Sequence, residues 1–316
     1  MQFNTYRGVV KALNGVTFDI FEDEIVGLVG ETGSGKSVTS LTILGLIQPP
    51  GEIVSGEVIF ENENLLEKNN EEMLKIRGEG ISMIFQDPVS SLNPVYSVGT
   101  QSSETISFHT KKGKKESLEE VVNLFKLVGI PSPEQRVKNY PFELSGGMQQ
   151  RVMISMALSC QPKLLIADEP TTNVDVTIQA QIIDLIKNLQ KKLKMSVLLI
   201  THNLGLVAET SDRVIVMYAG SVFEIANVEE FFKSPRHPYT EGLLGAIPSI
   251  SESKDLLKTI PGFVPNMIDP PKGCVFHPRC EYKTNDCINN KPILIEIDNN
   301  HFVACHHPLE GESKFE

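Results

Sequence analysis

Short aliphatic runs alternate with amphipathic stretches along most of the chain. The runs at 25–29, 164–167 and 197–200 are apolar at nearly every position, which is typical of strands buried on both faces of a parallel sheet. The pattern also predicts a strand at 81–85 and a hairpin at 214–223 around Ala219-Gly220. One face of a predicted helix carries Ile178, Ile182, Leu185, Ile186, Leu189 and Leu193. Strands that alternate with helices predict an α/β fold with a mostly parallel sheet.

Three regions depart from this alternation. Residues 51–77 are polar and rich in glycine, with a short predicted strand at 57–60. Residues 100–143 are predicted to be mainly helical, with amphipathic spacing at Leu118, Val121, Val122, Phe125 and Val128. From about residue 234 prolines become frequent and the periodicity fades. The sequence thus predicts a core domain over 1–225, with a helical subdomain at about 87–160, and a loop-rich C-terminal region at 226–316.

Composition narrows the function classes. The 316 residues are 41% hydrophobic and 22% charged, as in ordinary globular proteins. Lys and Arg number 29 and Asp and Glu number 40, so the net charge of −11 argues against a nucleic-acid partner. The sequence contains no apolar run of roughly 18 residues, and its start lacks the apolar core of a signal peptide. We therefore expect a cytosolic protein that reaches a membrane only through a partner.

A glycine-rich loop follows the first buried strand. Gly30-x4-Gly35-Lys36-Ser37 matches the P-loop pattern, between a predicted strand and a predicted helix. Backbone N–H groups of such a loop cradle phosphate oxygens, Lys36 would supply charge to the β- and γ-phosphates, and Ser37 would bind Mg²⁺. The sequence therefore predicts a site for ATP and Mg²⁺, formed by Gly30, Glu31, Thr32, Gly33, Ser34, Gly35, Lys36, Ser37 and Val38.

Two adjacent carboxylates end the aliphatic run at 164–167. Asp168 has the position of a Walker B carboxylate near Mg²⁺, and Glu169 could orient or deprotonate an attacking water. On their own they would be read as a solvated acidic pair, but a P-loop on the same predicted sheet favours the catalytic interpretation.

A third motif resembles the signature loop of the ABC transporter ATPases. It reads Leu144-Ser145-Gly146-Gly147-Met148-Gln149-Gln150-Arg151. The other motifs of that family follow its order along the chain: the P-loop, the Q-loop Gln86, the signature, Asp168-Glu169, a D-loop at Asn173-Val174-Asp175, and the switch His202. The resemblance implies a P-loop, RecA-like fold with an antiparallel β subdomain and a helical signature subdomain.

Further segments resemble one subfamily, the D-type ATPase subunits of oligopeptide and dipeptide importers. They are Phe85-Gln86-Asp87-Pro88 with the following residues to Pro94, His237-Pro238-Tyr239-Thr240, Ile260-Pro261-Gly262, and Gly273-Cys274-Val275-Phe276-His277-Pro278-Arg279-Cys280. The resemblance implies import of peptides. Nickel importers and some importers of sugar oligomers share these segments, so those cargoes stay open as alternatives.

The resemblance also implies roles for single residues. Gln86 would sense Mg²⁺ or the attacking water, and His202 would contact the γ-phosphate and hold the water with Glu169. Ser145 and Gly147 of one subunit, next to Gly146, would cap the ATP bound to the P-loop of the other. Asp168 would join Ser37 and Gln86 around Mg²⁺, and Asp175 would complete the ATP site. The adenine would stack on Phe3, which aligns best with the family, or on Tyr6 as the second candidate, and the family's first strand is expected to end near Met1.

The same resemblance implies a peripheral subunit at the cytoplasmic face of the cell membrane. Its expected partners are an F-type ABC ATPase subunit (or a second copy of the chain in isolation), two transmembrane permease subunits and, through them, an extracytoplasmic solute-binding protein. Two alternatives are a non-transport ABC ATPase and an inactive regulatory cassette. The single cassette argues against the first, and the intact Lys36, Asp168, Glu169 and His202 argue against the second.

Four of the five cysteines crowd into the last stretch, as Cys274-x5-Cys280-x6-Cys287-x17-Cys305. In a cytosolic protein such a cluster indicates a metal or iron–sulfur site before it indicates disulfides. The resemblance implies a [4Fe–4S] cluster on these four thiolates, with zinc or free thiols as alternatives. The cluster would order a segment that buries little surface, and we expect it to lie far from the nucleotide.

Overall fold

The structure is a computed structural model that describes residues 1–172, 175–247 and 259–310. The chain divides into two compact units. The first comprises Met1–Asp19, Val26–Glu63 and Thr201–Glu316, and the second comprises Ile20–Ile25 and Asn64–Ile200. The division at 225/226 stays a prediction, as does the helical subdomain at about 87–160. None of the helices in the described ranges is long and apolar enough to cross a bilayer.

The strands of the described residues are short. They are β1 (Gln2–Thr5), β2 (Gly8–Val10), β3 (Ile25–Val29), β4 (Gly51–Glu52), β5 (Ile59–Phe60), β6 (Glu63–Asn64), β7 (Ile81–Ile84), β8 (Leu164–Asp168), β9 (Ser196–Ile200), β10 (Arg213–Tyr218), β11 (Ser221–Asn227), β12 (Ile295–Asp298) and β13 (His301–Val303).

The helices of the same residues range from one turn to five. They are α1 (Lys36–Ile43), α2 (Asn70–Ile76), α3 (Pro88–Ser91), α4 (Val98–Thr110), α5 (Lys114–Leu127), α6 (Pro133–Arg136), α7 (Gly146–Ala157), α8 (Val176–Leu193), α9 (Leu204–Thr210), α10 (Val228–Lys233), α11 (Pro238–Gly245) and α12 (Asn285–Asn289). Short 3₁₀ turns lie at Leu65–Glu67 and Pro141–Glu143.

In the first unit, β3 pairs in parallel with β10, and β10 forms the predicted hairpin with β11. Ala219 and Gly220 have φ of 44° and 74°, as a tight turn between antiparallel strands requires. β13 and β12 extend β11 in antiparallel order, in a segment predicted to be loop-rich. The sequence did not predict this hairpin, because apolar and acidic residues alternate over only the four positions of β12.

A second sheet of the first unit is antiparallel. β1 pairs with β2 on one side and with β4 on the other, so that Phe3 lies opposite both Val10 and Gly51. The first strand of the described residues lies at Gln2–Thr5.

In the second unit, β7 pairs in parallel with β8, and β8 pairs in parallel with β9. The carboxyl ends of β7 and β8 therefore lie at the same edge of the sheet. Helices α4, α5 and α7 pack on one another, with Ile106, Phe125 and Ile154 fully buried. The amphipathic spacing placed Val121, Phe125 and Val128 in the core correctly. Leu118, on the same predicted face, is 38% exposed instead.

Candidate functional site

The P-loop joins β3 to α1 and encloses its lysine. Gly30, Gly33 and Gly35 have φ between 84° and 150°, a region that favours glycine, and a Cβ on Gly30 would strike the backbone oxygen of Met217. Lys36 Nζ donates hydrogen bonds to the carbonyl oxygens of Gly30 (2.8 Å) and Glu31 (3.1 Å). Within the described residues no side chain caps the N-terminus of α1, which leaves its N–H groups facing the loop. The arrangement places a buried cation and a helix N-terminus where an anion can bind.

Three other candidate nucleotide-binding residues of the first unit, Ser37, His202 and Tyr6, are exposed, whereas Phe3 is half-buried. Ser37 is exposed in the first turn of α1, and His202 is exposed between β9 and α9. Tyr6 is 91% exposed at the turn between β1 and β2, with the Arg7 guanidinium 5.2 Å from its ring centroid. Phe3 packs against Gly51, where an added Cβ would lie 2.8 Å from the Phe3 ring. Of the two aromatic candidates, Tyr6 is the more exposed.

The second unit brings together Gln86 and Glu169, which are 83 residues apart in sequence. Glu169 Oε2 accepts a hydrogen bond from Gln86 Nε2 (2.9 Å) and another from Thr172 Oγ1 (3.0 Å). Gln86 follows the end of β7 and Glu169 follows β8, so the parallel pairing of these strands explains the contact. Asp168 is 4% exposed at the end of β8. The backbone of Glu169 has φ of 44°, a conformation that positions the carboxylate at the cost of local strain.

The signature motif forms the exposed start of α7. Ser145 is the N-cap, and its Oγ accepts a hydrogen bond from Met148 N–H (3.4 Å). The helix therefore begins at Gly146. Ser145 and Gly146 are exposed, so this N-terminus is open to an anion from outside the unit.

Asp175 caps the neighbouring helix α8, because its Oδ1 accepts a hydrogen bond from Ile178 N–H (2.9 Å). Ile178 also lies 3.2 Å from the position of a Cβ on Gly147, which ties the signature to this helix. The two other D-loop residues, Asn173 and Val174, lie outside the described residues.

The four late cysteines meet at one small cavity. Cys274, Cys280, Cys287 and Cys305 all line it, together with His237, and its volume of about 10 Å³ holds about one water. The backbone N–H of Cys274 donates to the carbonyl oxygen of Cys287 (2.8 Å). Burial raises the pKa of the Cys274 and Cys305 thiols to about 11, and it also raises that of Cys280.

By chemistry the four thiols are a donor set for a thiophilic metal or an iron–sulfur cluster. By geometry the described residues contain no preformed group of three or more His, Cys, Asp or Glu side chains placed to hold a metal ion. A cluster would therefore require the cavity to widen. Two of the flanking histidines are engaged elsewhere, His306 with the Asn290 carbonyl and His307 with the Thr284 hydroxyl.

The C-terminal extension reaches the P-loop, which sequence reasoning missed. Arg279 Nη1 lies 2.9 Å from Glu31 Oε2, and Glu31 N–H donates a hydrogen bond to Tyr239 Oη (2.9 Å). Arg279 directly precedes Cys280, so one residue of the cysteine segment contacts the P-loop, whereas the distance of the predicted cluster from the nucleotide stays a prediction. No local pattern links positions 31 and 279, and only the fold brings them together.

A buried carboxylate, Glu224 of β11, organises the same extension. It accepts hydrogen bonds from the N–H groups of Arg236 and His237 (both 2.8 Å) and from His301 Nε2 (2.7 Å). His237 in turn caps α11, with Nδ1 accepting from Tyr239 N–H (3.0 Å). Burial lowers the pKa of His237 to about 4, against the opposing effect of the Glu224 charge. The motif at 237–240 is therefore a structural corner in this fold.

Comparison with known proteins places the chain in a family. The ABC transporter family model matches residues 13–172, and a model for the oligopeptide/dipeptide transporter C-terminal region matches residues 223–287. The chain is 48% identical to the dipeptide transport ATP-binding protein DppD of Haemophilus influenzae, over 99% of this chain and 94% of that protein. It is 49% identical to the oligopeptide transport ATP-binding protein OppD of Bacillus subtilis, over 96% and 85%.

Solved structures agree with this placement. The dimeric ATP-binding cassette MJ0796, in a post-hydrolysis state with ADP and Pi, is 27% identical, with a TM-score of 0.65 over 72% of this chain and 95% of that one. The cbiO1 protein of Clostridium perfringens is 30% identical, with a TM-score of 0.62 over 73% and 88%. The predicted α/β fold is confirmed as the P-loop fold of the ABC ATPases. The chain belongs to the ABC transporter family of ATP-binding proteins and carries the C-terminal region found in oligopeptide and dipeptide transporters.

Proposed function

We propose that this protein is the ATP-hydrolysing subunit of an ABC importer for dipeptides or oligopeptides. The observation that carries the proposal is Lys36, folded into the glycine loop with its ammonium group on two loop carbonyls at a helix N-terminus. Such a site has the charge and the donors that a triphosphate requires. The peptide cargo is supported by the similarity to DppD and OppD.

ATP binding is assigned to the first unit. The N–H groups of the loop hold the phosphates, and Lys36 contacts the β- and γ-phosphates. Ser37 would coordinate Mg²⁺, and Asp168 and Gln86 are further candidate ligands. The exposure of Tyr6 supports it as the aromatic residue that stacks on the adenine, in preference to Phe3.

Hydrolysis is assigned to Glu169, with Gln86 and His202 as its helpers. A carboxylate that already accepts two hydrogen bonds is held in place, so that it can orient a water and take its proton. Gln86 would sense Mg²⁺ or the attacking water, and its hydrogen bond to Glu169 supports this role. His202 contacts the γ-phosphate and holds the water with Glu169.

The exposed start of α7 supports a head-to-tail dimer. Ser145, Gly146 and Gly147 of one subunit would cap the γ-phosphate held by the P-loop of the other, since a helix N-terminus binds anions. Asp175 would lie at the same interface. ATP then joins two subunits and its hydrolysis releases them. The second subunit is an F-type homologue in the assembled importer and a copy of this chain in isolation.

The dimer would act at the cytoplasmic face of the membrane. Opening and closing would drive two transmembrane permease subunits, which receive the peptide from a solute-binding protein on the other side.

For the cysteine cavity we propose a [4Fe–4S] cluster, with zinc as the second candidate. Four thiols around one cavity support a cluster by ligand number, and the wide, uneven spacing argues against a compact zinc site. When bound, the cluster would cross-link 274–305 and would require the four thiols to lose their protons.

ATP binding is tested by calorimetry on Lys36→Ala. We expect affinity for MgATP to fall on the order of a hundredfold, because the bound anion loses its cation. Lys138→Ala removes an exposed lysine instead and should bind ATP as the parent does. Unchanged ATP binding by Lys36→Ala would refute the P-loop assignment.

Transport is tested in the assembled importer. Co-purification with a permease, followed by peptide uptake into vesicles that contain ATP, should succeed with the parent and fail with Lys36→Ala. Purification without any permease from the native membrane would contradict the importer assignment.

The metal is tested by anaerobic purification. We expect brown protein with broad visible absorbance, and four irons per chain, as for a thiolate-bound cluster. Cys280→Ser should lose the colour, whereas Cys160→Ser, outside the cavity, should keep it. Zinc without iron would transfer the site to the second candidate, and metal-free protein after reconstitution would reject both.

A further inference from the structure

The P-loop residue Glu31 is held at three points by the first unit. Its N–H donates to Tyr239 Oη (2.9 Å), its carboxylate pairs with Arg279 (2.9 Å), and its carbonyl oxygen accepts from Lys36 Nζ (3.1 Å). Two of these contacts come from the C-terminal extension, 208 and 248 residues further along the chain. The third comes from the phosphate-binding lysine itself.

Arg279 is fixed in place by the groups around it. Nε donates to the Pro261 carbonyl (2.8 Å) and Nη2 to the Ile260 carbonyl (3.2 Å), while Nη1 also reaches Tyr218 Oη (3.3 Å). Its guanidinium lies 5.7 Å from the Tyr218 ring centroid and 6.0 Å from that of Phe276. The Arg279 side chain is 7% exposed and that of Glu31 is 27% exposed. Burial opposes the charge of Arg279, but the hydrogen bonds to Glu31 and Tyr218 raise its pKa overall.

The charge of Glu31 makes this contact matter for nucleotide binding. A carboxylate in a loop that binds a triphosphate repels it, and the partial shielding of the loop from water strengthens this repulsion. Arg279 is the cation that the structure places against this carboxylate. A residue that neutralises Glu31 and fixes its side chain lowers the cost of bringing in the phosphates.

We propose that Arg279 is a positioning residue for nucleotide binding, through which the C-terminal extension sets the ATP affinity of the P-loop. The proposal rests on the proposed binding of ATP at Lys36. Arg279 lies in a turn that begins at Cys274, where Arg279 N–H donates to the Phe276 carbonyl (2.9 Å). A conformational change in the cysteine segment would therefore be transmitted to the P-loop through the Arg279 side chain.

The test is a double-mutant cycle on the full chain, read by calorimetry with MgATP. Arg279→Gln should weaken ATP binding by about tenfold, which is about 1.4 kcal/mol. In the Glu31→Gln background the same replacement should change the affinity by less than about twofold, because no carboxylate is left to neutralise. The loss in Arg279→Gln should also shrink as salt is raised, since screening weakens the repulsion.

Lys283→Gln is the matched control, since it removes one positive charge from an exposed position in the same segment. It should bind ATP as the parent does. Parent-like affinity in Arg279→Gln would overturn the proposal. An equal loss in both backgrounds, independent of salt, would also overturn it, because that result describes a purely structural role.

Two further measurements keep the outcomes separate. If Arg279→Gln does not fold, Arg279→Lys keeps the charge and should bind ATP more tightly than Arg279→Ala, whereas equal binding by these two variants would overturn the proposal. Lys36→Ala tests the underlying function: if it binds ATP like the parent, the site assignment fails whatever Arg279 does. Loss of binding in Lys36→Ala with parent-like Arg279→Gln rejects the coupling alone.

Discussion

Glu224→Gln tests whether one buried carboxylate holds the C-terminal extension to the core. Glu224 is fully buried, and its two oxygens accept three hydrogen bonds. Oε1 accepts from Arg236 N–H and His301 Nε2, and Oε2 accepts from His237 N–H. Because an ionised carboxylate only accepts, the imidazole of His301 must carry its proton on Nε2.

The size of the effect follows from this geometry. The amide of glutamine has one oxygen, which can take the place of Oε1 and keep two of the three bonds. Its NH₂ group then faces His237 N–H at 2.8 Å, so two buried donors confront each other without an acceptor. A buried donor without a partner costs about 1–3 kcal/mol, so we expect the free energy of unfolding to fall by about 3 kcal/mol.

Urea unfolding followed by circular dichroism measures the loss, and hydrogen exchange locates it. Exchange should accelerate in β11, β13 and the start of α11, the three elements that the carboxylate joins. Glu229→Gln is the control, because its pair with Lys233 is exposed and should contribute no more than about 0.5 kcal/mol. If Glu224→Gln unfolds within about 0.5 kcal/mol of the parent, with unchanged exchange, the reasoning is wrong.

Three more variants test separate features. Glu169→Gln keeps both hydrogen bonds but loses the base, so steady-state ATP turnover should fall by about 10²–10⁴-fold and MgATP should trap a dimer seen by light scattering. The exposed Glu119→Gln should behave as the parent. Normal turnover by Glu169→Gln would remove Glu169 from the mechanism. Gly220→Ala places a Cβ 2.5 Å from the Ala12 carbonyl oxygen at φ of 74°, so the free energy of unfolding, measured by thermal unfolding, should fall by about 1–3 kcal/mol. An unchanged melting temperature would contradict the assigned turn. Ser145→Ala removes the cap of α7 and should lower the free energy of unfolding by about 1 kcal/mol. Combined with Glu169→Gln, it should weaken the ATP-dependent dimer, measured by sedimentation. An equally tight dimer would exclude Ser145 from the interface.

Much of the core was determined by residues that are neighbours in sequence. The P-loop combines an apolar strand, glycines and a helix within a dozen positions, so its conformation follows from local backbone preferences. The strand that ends in Asp168 and the helix face that buries Ile182, Ile186 and Leu189 were equally readable, because their periods are local properties. The six ABC motifs in order then identified the family.

Only the tertiary structure decided the contacts between distant segments. The pairing of β13 with β11, the Glu224–His301 bond and the Arg279–Glu31 ion pair all join residues that no periodicity relates. The contact of the cysteine segment with the P-loop could not be predicted for this reason: the composition of the segment indicated a loop that needs a cross-link, but carried no information about the surface on which it packs. The local sequence determines which conformations a segment can adopt, whereas the place where it packs depends on the apolar surface buried over the whole chain. For this reason only the tertiary structure shows that Arg279 lies beside the P-loop.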